Sequence, residues 1–352
     1  MGRDRMILIT HDVLLQNILW HATRRVSPKR PLFATSPLAN PYAACARVCS
    51  EGVHPLSSTS HPSSMKAYLD IVRHILEHGD RKENRTGVDA ITVAGIMFEH
   101  DMAQGFPLLT TKKAAFKSMR VELEFFIKGL TDKQWLQERK CSIWNEWANP
   151  KKAPYGHDDA SKQRMAVERD LGPVYGFQWR HFDAPYNNYD SNYEGTGIDQ
   201  LKIVVDRLKT NPNDRRMIVM AWNPKALGEQ ALPPCHYGFQ VTVVNGKLNL
   251  LWNQRSVDTM LGLPFNIASY GLLLHLLAKE SGLQEGKLIG FLADTHIYVN
   301  HIDGAKLQLA RTPGTLPRVI TEPFTSIFDW TGEQTRLEGY EPQERIDFPI
   351  AI

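Results

Sequence analysis

The chain has 352 residues, of which 42% are hydrophobic and 22% are charged, a composition typical of a folded globular protein rather than a disordered one. Its formal net charge of +3 is too small to indicate DNA or RNA as the main partner. No apolar run approaches the roughly 20 residues needed to span a bilayer, and the length suits one large domain or two smaller ones.

The four cysteines stand at positions 45, 49, 141 and 235 and form no CxxC pair. So few thiols in so long a chain do not make a disulfide framework. We therefore expect free thiols and a cytoplasmic protein.

Residues 1–64 differ in composition from the rest of the chain. The stretch 55–64 is rich in Ser, Thr and Pro, and paired basic residues precede it. Such a composition occurs in targeting segments, but it is also typical of a disordered extension or of sequence upstream of a start at Met65. We favour the latter two possibilities, a disordered extension or upstream sequence, over a targeting segment, and we expect one folded domain over residues 65–352.

Hydrophobic periodicity predicts two helices early in this domain. In residues 66–78 apolar side chains recur at helical spacing, and Gly79 is placed to end the helix. Residues 115–128 repeat the pattern and stop at Gly129. The apolar face of the first helix comprises Tyr68, Leu69, Val72, Ile75 and Leu76.

The second half of the domain mixes strands and helices. Residues 216–222 are typical of a buried strand, and 238–252 form two β-rich runs that meet at Asn245-Gly246, a strong hairpin signal. Residues 266–279 predict a long apolar helix that ends near Gly282. Because the order lacks regular βαβ alternation, we predict an α+β domain with a large sheet flanked by helices.

Two polar segments, near 151–169 and 183–196, have the composition of inserted loops. Long surface loops add little closure entropy, so the core can accommodate both. Their residues indicate no role in a reaction.

Cys235 lies in the sequence Leu-Pro-Pro-Cys-His, residues 232–236. A thiol is a strong nucleophile once deprotonated, and a neighbouring cation favours that form. A cysteine with one adjacent histidine is, however, more often a buried structural residue. Adjacent side chains in a strand point to opposite faces, so adjacency does not make His236 the base.

Arginines in three segments suit a phosphate group. Guanidinium and hydroxyl groups together make paired hydrogen bonds to phosphate oxygens, although any one of these arginines alone is typical of a protein surface. They are Arg85 in a turn-like NRTG stretch, Arg215 and Arg216 before a strand, and Arg255, which Ser256 follows.

Ten sequence blocks follow one another through residues 65–352. They are NRTG (84–87), GFPLLTTKK (105–113), IWNEW (143–147), LGPVYGFQWR (171–180), DRRMIVMAWNP (214–224), LPPCH (232–236), QRSVD (254–258), LGLPFNIASY (261–270), DTHIYVNH (294–301) and FPIAI (348–352). Their co-occurrence in this order makes the chain resemble the thymidylate synthase family over essentially the family's whole length.

The resemblance implies reductive methylation of deoxyuridine monophosphate (dUMP) to dTMP. By similarity, Cys235 adds to C6 of the uracil, and C5 then attacks the one-carbon unit of 5,10-methylenetetrahydrofolate, which also delivers hydride and leaves as dihydrofolate. No metal is implied. The implied protein is a single domain with a mixed sheet whose faces meet in an obligate homodimer.

The resemblance also implies a dUMP site. His296 and Tyr298 match contacts to the ribose 3′-hydroxyl, and their spacing in a strand would put both on one face. The other implied ligands are Arg85, Arg255 and Ser256 for the phosphate, Arg215 and Arg216 from the neighbouring subunit, Asp258, and Asn266.

Asn266 matches the residue that reads the pyrimidine edge. Its amide offers a donor and an acceptor, which suits N3–H and O4 of uracil, whereas an aspartate there would suit the amino group of cytosine. Asn266 also precedes an apolar helix, so a helix N-cap is an alternative or additional role.

Glu122 and Tyr175 match the proton-handling residues of the family. Glu122 lies beside apolar residues in the helix at 115–128, where burial would raise its pKa, and it would organise water near uracil O4. Tyr175 would assist proton removal from C5. Glu124 is expected to be an ordinary surface charge.

The implied folate pocket is apolar and aromatic, as suits a flat ring. Asp258 would bind the pterin, and the C-terminal tail would close over the ligands. For the tryptophans, ordinary core packing is the alternative. The implied folate contacts are Ile143, Trp144, Trp147, Asp258, Leu261, Gly262, Phe265 and Ala351.

Some positions depart from the family pattern. Asn145 stands where aspartate is expected, and Ala114 and Ala115 stand where relatives often carry polar residues, including a histidine implicated in folate contact. Two other functions stay open. One is hydroxymethylation of the same nucleotide, with water in place of hydride; the other is nucleic-acid binding without catalysis.

Overall fold

Six strands join in one sheet in the computed structural model, which describes residues 65–84 and 87–350. In chain order they are β1 (Asp80–Lys82), β2 (Ala90–Asp101), β3 (Ile218–Met220), β4 (His236–Val244), β5 (Lys247–Asp258) and β6 (Gln284–Tyr298). Across the sheet the order is β1-β2-β6-β5-β4-β3, and neighbours are antiparallel except β5 and β6, which are parallel. The predicted α+β class with a mixed sheet is confirmed.

Helices flank this sheet, and a separate two-stranded ribbon joins β7 (Arg318–Thr321) to β8 (Thr335–Glu338). The α-helices of the described residues are α1 (Lys66–His78), α2 (Phe116–Ile127), α3 (Lys133–Glu138), α4 (Asp159–Val167), α5 (Tyr175–Arg180), α6 (Gln200–Thr210), α7 (Gly262–Ser281) and α8 (Ile302–Leu309). None of them is long and apolar enough to cross a membrane.

The strongest local signals in the sequence are confirmed. The first predicted helix has the bounds of α1, the second corresponds to α2, and Gly282 ends α7 in the left-handed conformation with φ of 68°. The hairpin between β4 and β5 turns at Asn245 and Gly246, whose φ values of 51° and 74° are those of a type I′ turn.

Two predictions differ from the structure. The strand expected over residues 216–222 covers only Ile218–Met220, and it is an edge strand whose Ile218 is 45% exposed rather than a buried strand. The polar segment near 151–169 contains α4, which buries only Ser161 and Met165. With so few buried positions, α4 lacks the apolar stripe by which a helix is recognised.

One face of the large sheet is buried beneath α7. Register places Phe98, Trp252 and Phe239 in one row across three strands, and each is at most 1% exposed. Tyr270 of α7 stacks on Trp252 with ring centroids 5.4 Å apart. Gly290 lies in the same row, as the register partner of both Phe98 and Trp252. A side chain would not fit there, because a Cβ at that position would lie 2.4 Å from the Trp252 ring.

The opposite face of the sheet exposes large apolar side chains. Met97 and Phe291 are register partners and are 61% and 43% exposed, and Val244 at the far end of β4 is 55% exposed. Single exposed apolar residues are normal on a protein surface, whereas several together on one sheet face are less common.

The extension predicted over residues 1–64 lies outside the described residues, and so do Arg85 and Ala351 among the predicted ligands.

Candidate active site

Cys235 lies between a pair of prolines and the first residue of β4, and it is half-buried. Its backbone N–H donates to the hydroxyl oxygen of Tyr175 at 2.9 Å, and its carbonyl accepts from the backbone N–H of Arg255 at 2.8 Å. The backbone of Cys235 is thus held from both sides, by α5 and by the neighbouring strand β5.

The guanidinium of Arg255 lies next to the thiol. Its Nη2 is 3.9 Å from Cys235 Sγ and donates to Pro233 O at 2.8 Å, while Nε donates to Pro234 O at 2.9 Å. The prolines that precede the cysteine therefore orient this arginine through their carbonyl oxygens. A cation at this position favours a negatively charged sulfur.

His236 is tied into a buried aromatic cluster. Its ring stacks on Tyr175 with centroids 4.3 Å apart, and its Nδ1 is 2.9 Å from the hydroxyl of Tyr270. Burial lowers the pKa of His236 to about 3, so the imidazole is neutral at neutral pH. The geometry gives this ring a packing role beside the thiol, and Tyr270 is a contact that the sequence did not reveal.

Glu122 of α2 faces the same cluster. Its Oε1 accepts from Trp144 Nε1 at 2.7 Å, and its side chain is almost completely buried. Burial raises the pKa of Glu122 to about 7, against the smaller opposing effect of the Trp144 hydrogen bond. A carboxyl group with that pKa exchanges a proton readily near neutral pH.

Tyr175 packs against Trp144, the hydrogen-bond partner of Glu122, and its hydroxyl oxygen accepts from Cys235 N. Its ring packs against Phe126 and Trp144, with centroids 5.0 and 6.0 Å away. Burial, and secondarily the charge of Cys235, raise the pKa of Tyr175 well above its usual value. The phenol is therefore neutral and keeps its O–H proton while its oxygen accepts from Cys235 N.

Glu124 is not the surface charge that was expected. It is 5% exposed, pairs with Lys128 at 3.1 Å and accepts from the backbone N–H of Gly332 at 2.8 Å. Being two residues from Glu122 does not place it on the outer face of α2, because the C-terminal part of this helix is buried on both sides.

Asn266 does not cap the helix that it was expected to precede. α7 begins one turn earlier, at Gly262, and Asp258 Oδ1 accepts the backbone N–H groups of Met260 and Leu261, at 3.1 Å each. Asn266 Oδ1 instead accepts from Gln254 Nε2 at 3.0 Å. The N-cap prediction is wrong, since Asn266 lies inside α7 and its side chain bonds Gln254.

The carboxyl ends of the parallel strands β5 and β6 lie side by side. Register pairs Ser256 with Asp294 and Asp258 with His296. The rings of His296 and Tyr298 are 5.1 Å apart at the end of β6, which confirms that the two side chains lie together. Polar groups from both strands are thereby gathered at one edge of the sheet, where ligands commonly bind in such sheets.

Besides the buried Trp144, several residues predicted to contact folate are apolar and partly exposed. Ile143 is 39% exposed, and Trp147, Leu261 and Phe265 are half-buried. The ring of Trp147 stacks on Tyr155 at 6.0 Å with an interplanar angle of 6°. Gly262 lies at the first turn of α7, next to Asp258 and Asn266.

Arg215 and Arg216 are exposed and lie just before the edge strand β3. The Arg216 side chain is 80% exposed and its Nε donates to Asp214 Oδ1 at 3.0 Å. In the described part of this chain neither guanidinium forms a hydrogen bond with Cys235 or Arg255. The structure therefore does not bring these two arginines into the chain's own cluster.

Comparison with known proteins gives a coherent match. A protein-family model described as thymidylate synthase matches residues 66–352. A bifunctional dihydrofolate reductase-thymidylate synthase from Paramecium tetraurelia is 41% identical over 306 residues, which cover 85% of this chain and 65% of that protein. The chain thus spans less than two thirds of the length of that relative.

Proposed function

The chain belongs to the thymidylate synthase family, and from this premise we propose that it converts dUMP to dTMP at the site around Cys235. The observation that carries the proposal is the contact of Cys235 Sγ with Arg255 Nη2 at 3.9 Å, inside a cluster that also holds Glu122 and Tyr175. A thiol, a cation, a phenol and a titratable carboxyl group are the parts that covalent activation of a uracil ring requires.

In this proposal the sulfur of Cys235 forms a bond to C6 of uracil. The electron pair of the C5–C6 double bond moves toward the O4 carbonyl, which makes C5 nucleophilic. The same C–S bond breaks when dTMP leaves, and its electron pair returns to the sulfur. The positive charge of Arg255 stabilises the sulfur as an anion at the start and the end of the cycle.

Glu122 and Tyr175 would handle protons. With a pKa near 7, Glu122 holds and releases a proton through water near O4 at neutral pH. The neutral phenol of Tyr175, which packs against Trp144 and accepts from Cys235 N, would assist removal of the C5 proton.

The dUMP ligands of the proposal come from the ends of β5 and β6 and the start of α7. Arg255 and Ser256, with Arg85, would bind the phosphate, while His296 and Tyr298 would bind the ribose 3′-hydroxyl. Asn266 would read N3–H and O4 of the pyrimidine. Asp258 would lie close to both the nucleotide and the folate, since it is the register partner of His296.

The partly exposed apolar side chains of Ile143, Trp147, Leu261 and Phe265 would suit a flat aromatic ligand. Methylenetetrahydrofolate, when bound, supplies the one-carbon unit and the hydride. The chain's own contribution is to hold that ligand between these apolar side chains and the carboxylate of Asp258, with Trp144 and Gly262 at its border. Ala351 in the C-terminal tail would help to exclude water.

We also propose a cytoplasmic homodimer that buries the exposed sheet face of Met97, Phe291 and Val244. Arg215 and Arg216 would then reach the partner's phosphate site, which accounts for their exposure and their distance from the chain's own cluster. Residues 65–352 would form the catalytic domain, and residues 1–64 a dispensable extension.

The test is a spectrophotometric assay with dUMP and methylenetetrahydrofolate, run on the wild type, on Cys235→Ala and on a chain limited to residues 65–352. We expect dihydrofolate as the folate product, no turnover by Cys235→Ala, and equal activity of the shortened chain. Tetrahydrofolate as the product would indicate the hydroxymethylase instead. Turnover by Cys235→Ala would refute the mechanism, and an inactive wild type would favour a non-catalytic binding protein.

A further inference from the structure

Lys133, the first residue of α3, is a buried lysine with an unusual set of partners. It is 1% exposed, and its Nζ donates to three backbone carbonyl oxygens: Met165 O at 2.7 Å, Trp147 O at 3.0 Å and Asn145 O at 3.2 Å. An ammonium group has three donors, so all of them are used. Among residues 65–84 and 87–350 no carboxylate pairs with it within 4 Å, and the charge of Glu168 acts on it from farther away.

The three carbonyls belong to two segments that are separate in the chain. Asn145 and Trp147 lie in the stretch 143–147, whose side chains form part of the proposed folate surface. Met165 lies in the last turn of α4, where a helix leaves carbonyl oxygens without intrahelical donors. One ammonium group therefore satisfies the end of α4 and fixes the backbone of the 143–147 stretch at the same time.

Further contacts join the same two segments. Met165 packs with Ala148 and Ala153 in a small apolar cluster of its own, separate from the main core. Beside it, the ring of Trp147 stacks on Tyr155, which lies between Trp147 and α4 in the chain. The first inserted segment thus contacts Trp147 and Ala148 through both apolar and aromatic groups.

We infer that Lys133 is a positioning residue for the folate site, which holds the 143–147 stretch against the inserted helix α4. The inference rests on the proposed function, since it is that function which assigns Ile143, Trp144 and Trp147 to folate. It gives the first inserted segment a purpose, namely to hold in place the 143–147 stretch, which forms one wall of the proposed folate pocket. Trp144, whose Nε1 donates to Glu122, connects the same wall to the proton-handling carboxyl group.

The sharpest variant is Lys133→Met, which keeps an unbranched apolar stem and removes all three donors. We expect the KM for methylenetetrahydrofolate to rise by about tenfold or more, because small displacements of a positioning wall weaken productive binding strongly. The KM for dUMP should stay within about twofold, because the nucleotide's proposed ligands lie on other elements. Similar increases in both KM values, or an unchanged folate KM, would overturn the inference.

Lys128→Met is the matched control. The substitution also removes an ammonium group with a buried partner, Glu124. Among the described residues, Lys128 pairs with Glu124 and not with the 143–147 stretch. General destabilisation would affect both lysine variants, so only Lys133→Met should change the ratio of the two KM values.

A second measurement does not depend on turnover. Amide hydrogen exchange in the unliganded protein should be faster over residues 143–147 in Lys133→Met and unchanged there in Lys128→Met. Unchanged exchange in Lys133→Met would overturn the inference even if the enzyme is active. If the wild type does not convert dUMP but exchange is still faster in Lys133→Met, the positioning role of Lys133 is upheld and only the proposed function is refuted.

Tyr155→Ala covers the case in which Lys133→Met does not fold. Tyr155 is 40% exposed, so its truncation leaves the main core intact, yet it removes the ring on which Trp147 stacks. We expect a smaller rise of the folate KM, of about threefold, with the dUMP KM unchanged. An unaltered folate KM in Tyr155→Ala would show that the inserted segment does not position the wall.

Discussion

Gln254 Nε2 donates a hydrogen bond to Asn266 Oδ1 across 3.0 Å, and this contact orients the amide proposed to read the pyrimidine. Gln254 is itself fixed, because its Nε2 also donates to Ser256 O and its Oε1 accepts from Trp252 Nε1, both at 3.1 Å. Since Oδ1 of Asn266 faces a donor, its Nδ2 points away from Gln254. The amide then offers a donor and one remaining lone pair to a ligand.

Asn266→Asp should therefore change the preferred base. Gln254 can still donate to one carboxylate oxygen, but the other oxygen would face O4 of uracil, where it repels, or the amino group of cytosine, which donates to it. We expect dUMP to bind about 10- to 100-fold more weakly and deoxycytidine monophosphate to bind more tightly, as one hydrogen-bond mismatch implies. Titration calorimetry with each nucleotide measures both changes.

Asn249→Asp is the control for that substitution. Asn249 is also an amide on β5, but it bonds Thr242 O and the backbone of Lys287 at the opposite end of the strand. An unchanged preference for dUMP in Asn266→Asp would show that a different group reads the base.

The Gln254 contact illustrates what the sequence can and cannot predict. Local signals such as the apolar period of residues 66–78 or the Asn245-Gly246 turn depend on neighbours in the chain, and they were confirmed. The Gln254–Asn266 bond joins a strand to a helix, so only the folded chain reveals it. The N-cap expected of Asn266 failed because α7 begins one turn earlier, at Gly262, which places Asn266 inside the helix.

The sequence also did not show by itself which charged side chains are buried. Glu122 was expected to be buried and is, but only through the family resemblance, since nothing local separates it from Glu124. Lys133 and Glu124 gave no sign of burial, because their carbonyl and backbone partners come from segments distant in the chain. The helix α4 was not predicted, because it packs through contacts with Lys133 and one small apolar cluster and has no apolar stripe.

Tyr175→Phe should slow the reaction without weakening dUMP binding. The variant keeps the ring that stacks on His236 but removes the phenol that accepts from Cys235 N, leaving that N–H without its partner. We expect kcat to fall by about 10²- to 10⁴-fold, the usual contribution of a positioned proton-transfer group. Release of hydrogen from C5 of labelled dUMP should fall in step with dTMP formation.

Tyr186→Phe provides the comparison. That phenol is also hydrogen-bonded, to Asp170 at 2.6 Å, but it lies in the second inserted segment and contacts none of the proposed catalytic residues. Wild-type kcat in Tyr175→Phe would remove Tyr175 from proton handling and leave it a packing residue.

Mixing two inactive variants tests the proposed sharing of Arg215 between subunits. Cys235→Ala and Arg215→Glu chains should each be inactive alone, because one lacks the nucleophile and the other repels the phosphate. A mixed dimer has one site with an intact cysteine and an intact partner arginine, so random exchange should restore about a quarter of wild-type activity. Activity that stays absent after exchange, with mixed dimers shown by mass spectrometry, would place Arg215 outside the partner's site.

Glu122→Gln should make the protein less active but more stable above neutral pH. In the folded chain burial raises the pKa of Glu122 to about 7, from 4.5 in the unfolded chain. Below pH 4.5 both states hold the proton, so the carboxyl group imposes no penalty. As pH rises toward 7 the unfolded state loses its proton first, and the free energy of unfolding falls by about 3 kcal/mol.

Glutamine does not titrate, and its Oε1 can still accept from Trp144 Nε1. The difference in unfolding free energy between variant and wild type should therefore grow in the variant's favour from pH 4.5 to pH 8, while kcat falls by about 10²-fold or more. Urea denaturation at several pH values measures the difference, with Glu77→Gln at an exposed position as the surface control. The opposite result is a stability deficit of the variant, relative to the wild type, that is larger at pH 8 than at pH 4.5. It would show that folding favours the charged carboxylate, and the proton-handling role would lose its physical basis.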